Sequence, residues 1–319
     1  MSRQEVLSRA VWAALAASAA VISTHAGQQR PEASQPNPAK VVLLGTGTPA
    51  ATPDRSGPST AIVVNDAAYL VDFGPGVVRR ASAAASGRGI PALQPTRLRV
   101  AFVTHLHSDH TVGYPDLIFT PWTLGRRVPL EVYGPKGLKA MTEHLLEAYR
   151  VDIDTRTNPD GNQRSFPDGH KVEAHEVAAG VVYKDGNVTV TAFATTHALE
   201  SYGYRFDTPY RSIVLSGDTS PTQATIDACR GCDVLIHEAH TSAWLAARPE
   251  AGGAPPGTFR RFSEKYHTTT SQLADLARQA QPKLLILYHY NSLSPEELHA
   301  DMMRLYSGHF IIGRDLDVY

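Results

Sequence analysis

Thr104-His-Leu-His-Ser-Asp-His110 packs four metal-ligating side chains, His105, His107, Asp109 and His110, into one short stretch directly after the apolar run Val100–Val103. A continuous apolar run of that length, bounded by polar residues, reads as a buried strand. Alternation along a strand-to-helix turn directs His105 and His107 to one side. Asp109 and His110 then stand at the mouth of the helix that follows. Imidazole and carboxylate are good ligands for zinc and other first-row metals. Four such groups exceed what a single ion takes from one turn. The run therefore predicts two neighbouring ions, with His105 and His107 on one and Asp109 and His110 on the other.

The rest of the chain alternates short apolar strands with Gly/Pro turns and helices. Strands are expected at Val41–Leu44, Val100–Thr104, Val188–Thr195, Gly203–Phe206, Ser212–Ser216, Val234–His237 and Leu284–Tyr288, with a hairpin of Ala61–Val64 and Tyr69–Asp72 across Asn65-Asp66. Helices are expected at Gly74–Ser86, near His110–Phe119, Gly137–Tyr149, Pro221–Cys229 (capped by Ser220), Thr269–Gln279 and Pro295–Leu305. Residues 151–170 and 246–262 read as loops. Strands and helices interleave without a break in composition, which predicts one α/β domain over residues 40–319.

The first 39 residues differ from the rest. Arg3 and Arg9 precede the uncharged run Ala10–Ile22, and Thr24-His25-Ala26 has the small-x-Ala form of a cleavage site. Residues 1–26 therefore read as a secretory signal peptide, with an N-terminal helix of the domain as the alternative. Residues 27–39, rich in Gln, Pro and Ser, read as a linker. The expected location is periplasmic or secreted, with no stable membrane insertion after cleavage, because the run is too short to span a bilayer. The 319-residue chain is 42% hydrophobic and 19% charged with net charge −1, which allows a large core and implies no broad basic field for nucleic acid. Cys229 and Cys232 form a single C-x-x-C, a weak zinc signal. They could close a small disulfide in an oxidising compartment; the expectation is two partly buried thiols at a helix end.

H-x-H-x-D-H after a buried strand resembles the signature of the metallo-β-lactamase superfamily. The wider string Thr104-His-Leu-His-Ser-Asp-His-Thr-Val-Gly-Tyr-Pro-Asp-Leu117 is similar to the ribonuclease Z-like branch, as are Leu43-Leu-Gly-Thr-Gly-Thr-Pro49 and Tyr69-Leu-Val-Asp-Phe-Gly-Pro-Gly76. The resemblance covers nearly all of residues 40–319. It implies a single-domain α/β fold, a four-layer αβ/βα sandwich with two divalent ions at one edge between the sheets. Zinc is the expected metal, with Mn2+ or Fe2+ as alternatives. It also implies three further ligands: His197 in Ala194-Thr-Thr-His, Asp218 in Ser216-Gly-Asp-Thr as the carboxylate that bridges both ions, and His289 in Leu287-Tyr-His-Tyr.

Leu235-Ile-His-Glu-Ala239 resembles the H-E-A-T motif of the branch, with His240 where Thr is usual, and His267 matches the histidine paired with that glutamate. Glu238 would orient His267, which would donate a proton to the leaving oxygen, while Asp109 would orient the attacking water. His240 is either a stand-in donor or a surface residue. The implied function is that of an exported dinuclear phosphodiesterase acting on a small-molecule phosphodiester. An arylsulfatase-type sulfate ester hydrolase and a non-catalytic metal-binding protein are the alternatives, and a homodimer is a family expectation. Precursor tRNA is not expected as a substrate. Export argues against it, no basic Gly/Pro-rich arm is present, and residues 151–186 carry Asp152, Asp154, Asp160, Asp168, Glu173 and Glu176.

Overall fold

Apolar residues alternate between two cores in the first strand: Val42 and Leu44 join one hydrophobic cluster and Val41 and Leu43 another. A strand so placed is covered on both faces, since successive side chains point to opposite sides. The computed structural model describes residues 39–160, 166–248 and 255–319, all within one compact unit. The expected leader (1–26) and all of the expected linker except Ala39 lie outside the described residues.

The first half comprises β1 (Lys40–Gly45), β2 (Ser59–Val64), β3 (Ala67–Val71), α1 (Val77–Gly87), β4 (Val100–Phe102), α2 (Ser108–Thr111), α3 (Tyr114–Thr123), β5 (Leu130–Gly134), α4 (Leu138–Ala148), α5 (Arg150–Thr157) and β6 (Val172–Glu176). The second comprises β7 (Gly180–Lys184), β8 (Thr189–Ala194), β9 (Tyr202–Asp207), β10 (Ser212–Leu215), α6 (Gln223–Cys229), β11 (Val234–His240), α7 (Ser242–Ala247), α8 (Thr258–Tyr266), α9 (Thr270–Ala280), β12 (Leu284–Asn291), α10 (Pro295–Leu305) and β13 (Phe310–Ile312).

Two sheets result, with strand orders β1-β2-β3-β4-β5-β6 and β13-β12-β11-β10-β9-β8-β7. One core lies between them and one on each outer face, under α1, α3 and α4 on the first sheet and α6, α9 and α10 on the second. This is the expected four-layer αβ/βα sandwich. Phe102 ties the sheets together, with its ring 5.3–5.9 Å from those of Tyr133, Tyr183, Tyr204 and Phe206. Truncating such a ring to Ala costs about 3–5 kcal/mol, so β4 is firmly seated just before the His105–His110 run.

The structure corrects several local expectations. The segment 151–170 is not wholly irregular: α5 occupies part of it, held by an i,i+4 pair between Arg156 and Asp152 at 2.9 Å. Only Ile153 of α5 is buried, so no apolar stripe marks it in sequence. The segment 246–262 holds most of α8. The helix expected from Pro221 starts at Gln223, with Thr222 rather than Ser220 accepting the cap bond from the Thr225 amide. Cys229 and Cys232, both buried, are joined as a disulfide rather than standing as thiols. Among the described residues, no helix is long and apolar enough to cross a membrane.

Candidate metal centre

Parallel pairing of β3 with β4, of β10 with β11 and of β11 with β12 sends their carboxyl ends to one edge of the sandwich. Loops at such ends carry the chemistry in many α/β folds. His105 and His107 follow β4, Asp109 and His110 lie on α2, and Asp218 follows β10. His197 follows β8, the neighbour of β9 in the second sheet. Glu238 and His289 lie within β11 and β12, where the register slips between His237 and Ala239. A bulge re-aims side chains, and here it turns both into the site. Two glycines permit the close packing of the loops. A Cβ on Gly217 (φ 63°) would lie 2.8 Å from Thr104 Cβ, and one on Gly74 would lie 2.5 Å from the Asp109 carbonyl.

The structure brings all seven expected ligands together. His107 Nδ1 lies 3.0 Å from His105 Nε2 and 3.1 Å from His197 Nε2. His289 Nε2 is 3.2 Å and His110 Nε2 is 3.6 Å from Asp109 Oδ2. Asp218 Oδ1 stands 3.4 Å from His110 Nε2 and 3.3 Å from His289 Nδ1. Metal-competent groupings are His105 with His107 and His197, His105 with His110 and Asp218, and Asp109 with His110 and His289. A fourth, His197 with Asp218 and His267, includes the residue expected to act as an acid.

Hydrogen bonds behind the cluster fix which nitrogen faces inward. Asp72 accepts from the Thr104 amide at 2.8 Å, from its hydroxyl at 3.0 Å, and from His110 Nδ1–H at 2.9 Å. The Thr104 hydroxyl, committed to Asp72, accepts from His105 Nδ1–H at 3.0 Å. His197 Nδ1–H donates to the Tyr266 carbonyl at 3.1 Å. In the neutral ring, each bond leaves Nε2 with its lone pair toward the cluster. Asp72 (φ 62°) and His289 (φ 45°) both adopt left-handed backbone, a cost that the surrounding structure must hold. Sequence reasoning missed Asp72 and Thr104 as supports; the signal was Asp72 standing inside the Tyr69–Gly76 motif.

Burial lowers His105 well below its ordinary pKa and His197 to about 4, so both are neutral donors at neutral pH. Burial would raise Asp218, but His289 and His110 hold it well below the carboxylate range. Burial likewise opposes protonation of His110, yet Asp72 and Asp218 raise it well above the usual imidazole value. Asp72, Asp109 and Asp218 thus give the centre an appetite for positive charge.

Beside it, Glu238 Oε1 and Oε2 accept from His267 Nδ1–H at 2.9 and 3.1 Å, and the Thr219 amide donates to Oε1 at 2.8 Å. Burial works against a charged His267, but Glu238 outweighs it and pushes the imidazole up to about 9. His240 lines the same cavity as Asp218 and His267 but is not a surface residue. It is buried, burial lowers it to about 4, and its Nε2 stands 3.4 Å from Ser263 Oγ on α8.

A family model described as the β-lactamase superfamily domain matches residues 68–290. A protein named Ribonuclease Z from Mycobacterium sp. (strain KMS) is 35% identical over 257 residues, covering 79% of this chain and 84% of that protein. Another Ribonuclease Z, from Mycobacterium bovis (strain BCG / Pasteur 1173P2), is 30% identical over 288 residues, covering 87% of this chain and 96% of that protein. The crystal structure of human tRNase Z, short form, aligns with a TM-score of 0.63 at 21% identity, over 88% of this chain and 98% of that one. A metallo-β-lactamase fold protein from Bacillus subtilis aligns at 0.65 and 18% identity, over 89% and 99%. At such identities the two structures speak to the fold alone.

The relatives overturn the expectation that tRNA is not a substrate. The physical case for it was also weaker than the residue count suggested. Asp152 is paired with Arg156 at 2.9 Å and Asp168 with Lys171 at 2.6 Å, while Glu176 accepts the Gly137 amide at 2.7 Å. Two of the six acids counted against an RNA backbone are therefore ion-paired in the fold. Carried by the family-model match and by relatives aligned over most of their length, the conclusion is that this chain belongs to the β-lactamase superfamily of metallo-β-lactamase-fold hydrolases, in its ribonuclease Z-like branch.

Proposed function

We propose that this chain is a two-metal phosphodiester hydrolase whose substrates include RNA of the kind for which its ribonuclease Z relatives are named. His105, His107 and His197 would hold one ion and Asp109, His110 and His289 the other, and Asp218, which stands with His105 and His110, would serve both. Zinc is the first candidate.

The residues present fit this reading. His110 Nε2, Asp218 Oδ1 and His289 Nδ1 are buried and have no hydrogen-bond partner. Such groups are costly unless something satisfies them. Zinc holds N and O ligands at about 2.0–2.2 Å, which sets ligand atoms of a tetrahedral shell about 3.3 Å apart. The N···N and N···O separations of 3.0–3.4 Å among His105, His107, His197, His110 and Asp218 match that spacing. Bound there, the ions would supply Lewis acidity and an activated water.

The protein's own part is to place and move protons. Asp109 sits at the cavity wall, where its carboxylate can orient an attacking water. Glu238 fixes the His267 ring through Nδ1, and Nε2 is then the nitrogen that faces a substrate. His267, oriented and charge-balanced by Glu238, donates a proton to the leaving oxygen, a contribution of about 10²–10⁴ in rate. Asp72 and Thr104 keep His110 and His105 in the tautomers that bind.

The single observation that carries the reading is the Glu238–His267 pair beside the donor cluster. Metal storage alone would not need a proton donor charged by a buried carboxylate. The test is a rate panel on one zinc-loaded sample, comparing bis(p-nitrophenyl) phosphate, a precursor tRNA, an aryl sulfate and a lactone. Faster turnover of the sulfate or the lactone than of either phosphodiester would sink the assignment.

A further inference from the structure

The two helices of the 241–266 segment build one wall of the cavity that reaches the metal centre. Trp244, Arg248, Phe259 and Phe262 line it, in a volume of about 270 Å³ that also touches Asp218 and His267. Phe259 and Phe262, three positions apart on α8, share a face. Trp244 meets Phe259 edge-on, with centroids 5.9 Å apart and an interplanar angle of 77°. Phe262 lies 5.7 Å from the His267 ring and 6.3 Å from that of His197. Thr241 caps α7 by accepting the Trp244 amide at 3.2 Å, and the His240 amide donates to the Thr268 carbonyl at 3.0 Å.

Aromatic walls beside a phosphoryl-transfer site take either a cation or a planar ring. The guanidinium of Arg248 lies 4.2 Å from the Phe259 centroid and 5.1 Å from that of Trp244. A cation is thus already seated on Phe259 and Trp244, and a second one would be repelled; among the described residues no cation lies over Phe262, so that ring is the one assigned to a base. The same positive charge suits a ligand that carries further phosphates.

We propose that this wall is a stacking site for one nucleobase of a phosphodiester substrate, on the leaving-group side of the scissile bond. The side follows from Phe262, which adjoins His267, the donor to the leaving oxygen. The inference rests on the phosphodiesterase reading above and adds to it a base-reading function for a segment peculiar to the Glu238–His267 interval. Stacking on aromatic side chains tolerates any base, since each has a π-face.

The test uses the zinc-loaded full chain and two dinucleotides. One is thymidylyl-thymidine; the other has an abasic tetrahydrofuran in place of the leaving nucleoside. Wild type is expected to prefer the intact dinucleotide by at least about 10-fold in kcat/KM. Phe262→Ala and Trp244→Ala should bring that ratio to near one, and Phe262→Tyr should keep it. A wild-type ratio near one, or a ratio unmoved by both alanine variants, overturns the proposal. A second readout does not need turnover. Thymidine 5′-monophosphate should change the fluorescence of Trp244 saturably, ribose 5-phosphate should not, and Phe262→Ala should weaken the response about 10-fold. Equal responses to the two ligands, or none, also overturn it. If neither dinucleotide is hydrolysed, the fluorescence arm decides the wall, and the rate panel above decides the phosphodiesterase reading.

Discussion

Glu238 holds His267 Nδ1 at 2.9 Å across 29 positions of sequence, with its carboxylate buried and the imidazole at the cavity. In the metal-free protein His267 should titrate near 9, above its ordinary value of 6.5. A folded-state pKa raised above the unfolded one contributes stability fully present below about pH 6.5 and lost as pH rises through 9. Glu238→Gln removes the counter-charge and leaves burial to lower His267. NMR titration of the His267 ring should show the fall. The stability gap between wild type and variant should narrow as pH rises through 9. A His267 that titrates at its ordinary value in wild type would contradict the pairing.

Asp72 touches no substrate, yet it supports two ligands at once. Asp72→Ala leaves the buried Thr104 amide and His110 Nδ1–H without an acceptor. Metal affinity should fall about 10–100-fold, and each orphaned donor should cost about 1–3 kcal/mol of stability. Competition with a chelator measures the first effect and thermal unfolding the second. Unchanged affinity would show that the His110 ring is oriented by its neighbours alone.

Cys229 and Cys232 close a loop at a sequence separation of 3, beneath α9 and away from the donor cluster. A loop so short constrains the unfolded chain by only about 2 kcal/mol. The double variant Cys229→Ala/Cys232→Ala should lose about that much and keep its metal affinity. Denaturant unfolding and metal titration on the same sample check both.

The donor run His105–His110 was legible because its chemistry is local: four ligands in one turn after a buried strand. His197, Asp218 and His289 were legible through their flanking residues, while only the sheet topology shows them meeting. Asp72 stood inside the Tyr69–Gly76 motif, but its role was not legible, since its partners Thr104 and His110 are 32 and 38 residues away. α8 was read as loop because Pro255, Pro256 and Gly257 precede it, and its apolar face, Phe259 and Phe262, looks toward a cavity rather than a core. Two thiols and one disulfide look alike in sequence, so C-x-x-C left both open. The tRNA expectation was overturned by the relatives; the charge count behind it also missed that Asp152 and Asp168 find cations in the fold.

The most direct measurement is metal content and turnover on the same samples of wild type, Asp218→Ala and His267→Ala. The account requires two zinc ions per wild-type chain, and loss of both with all activity in Asp218→Ala. It requires that His267→Ala keep both ions and lose about 10²–10⁴ in rate on phosphodiesters with poor leaving groups. Wild-type protein that takes up no transition metal, or His267→Ala that loses metal as Asp218→Ala does, would contradict it.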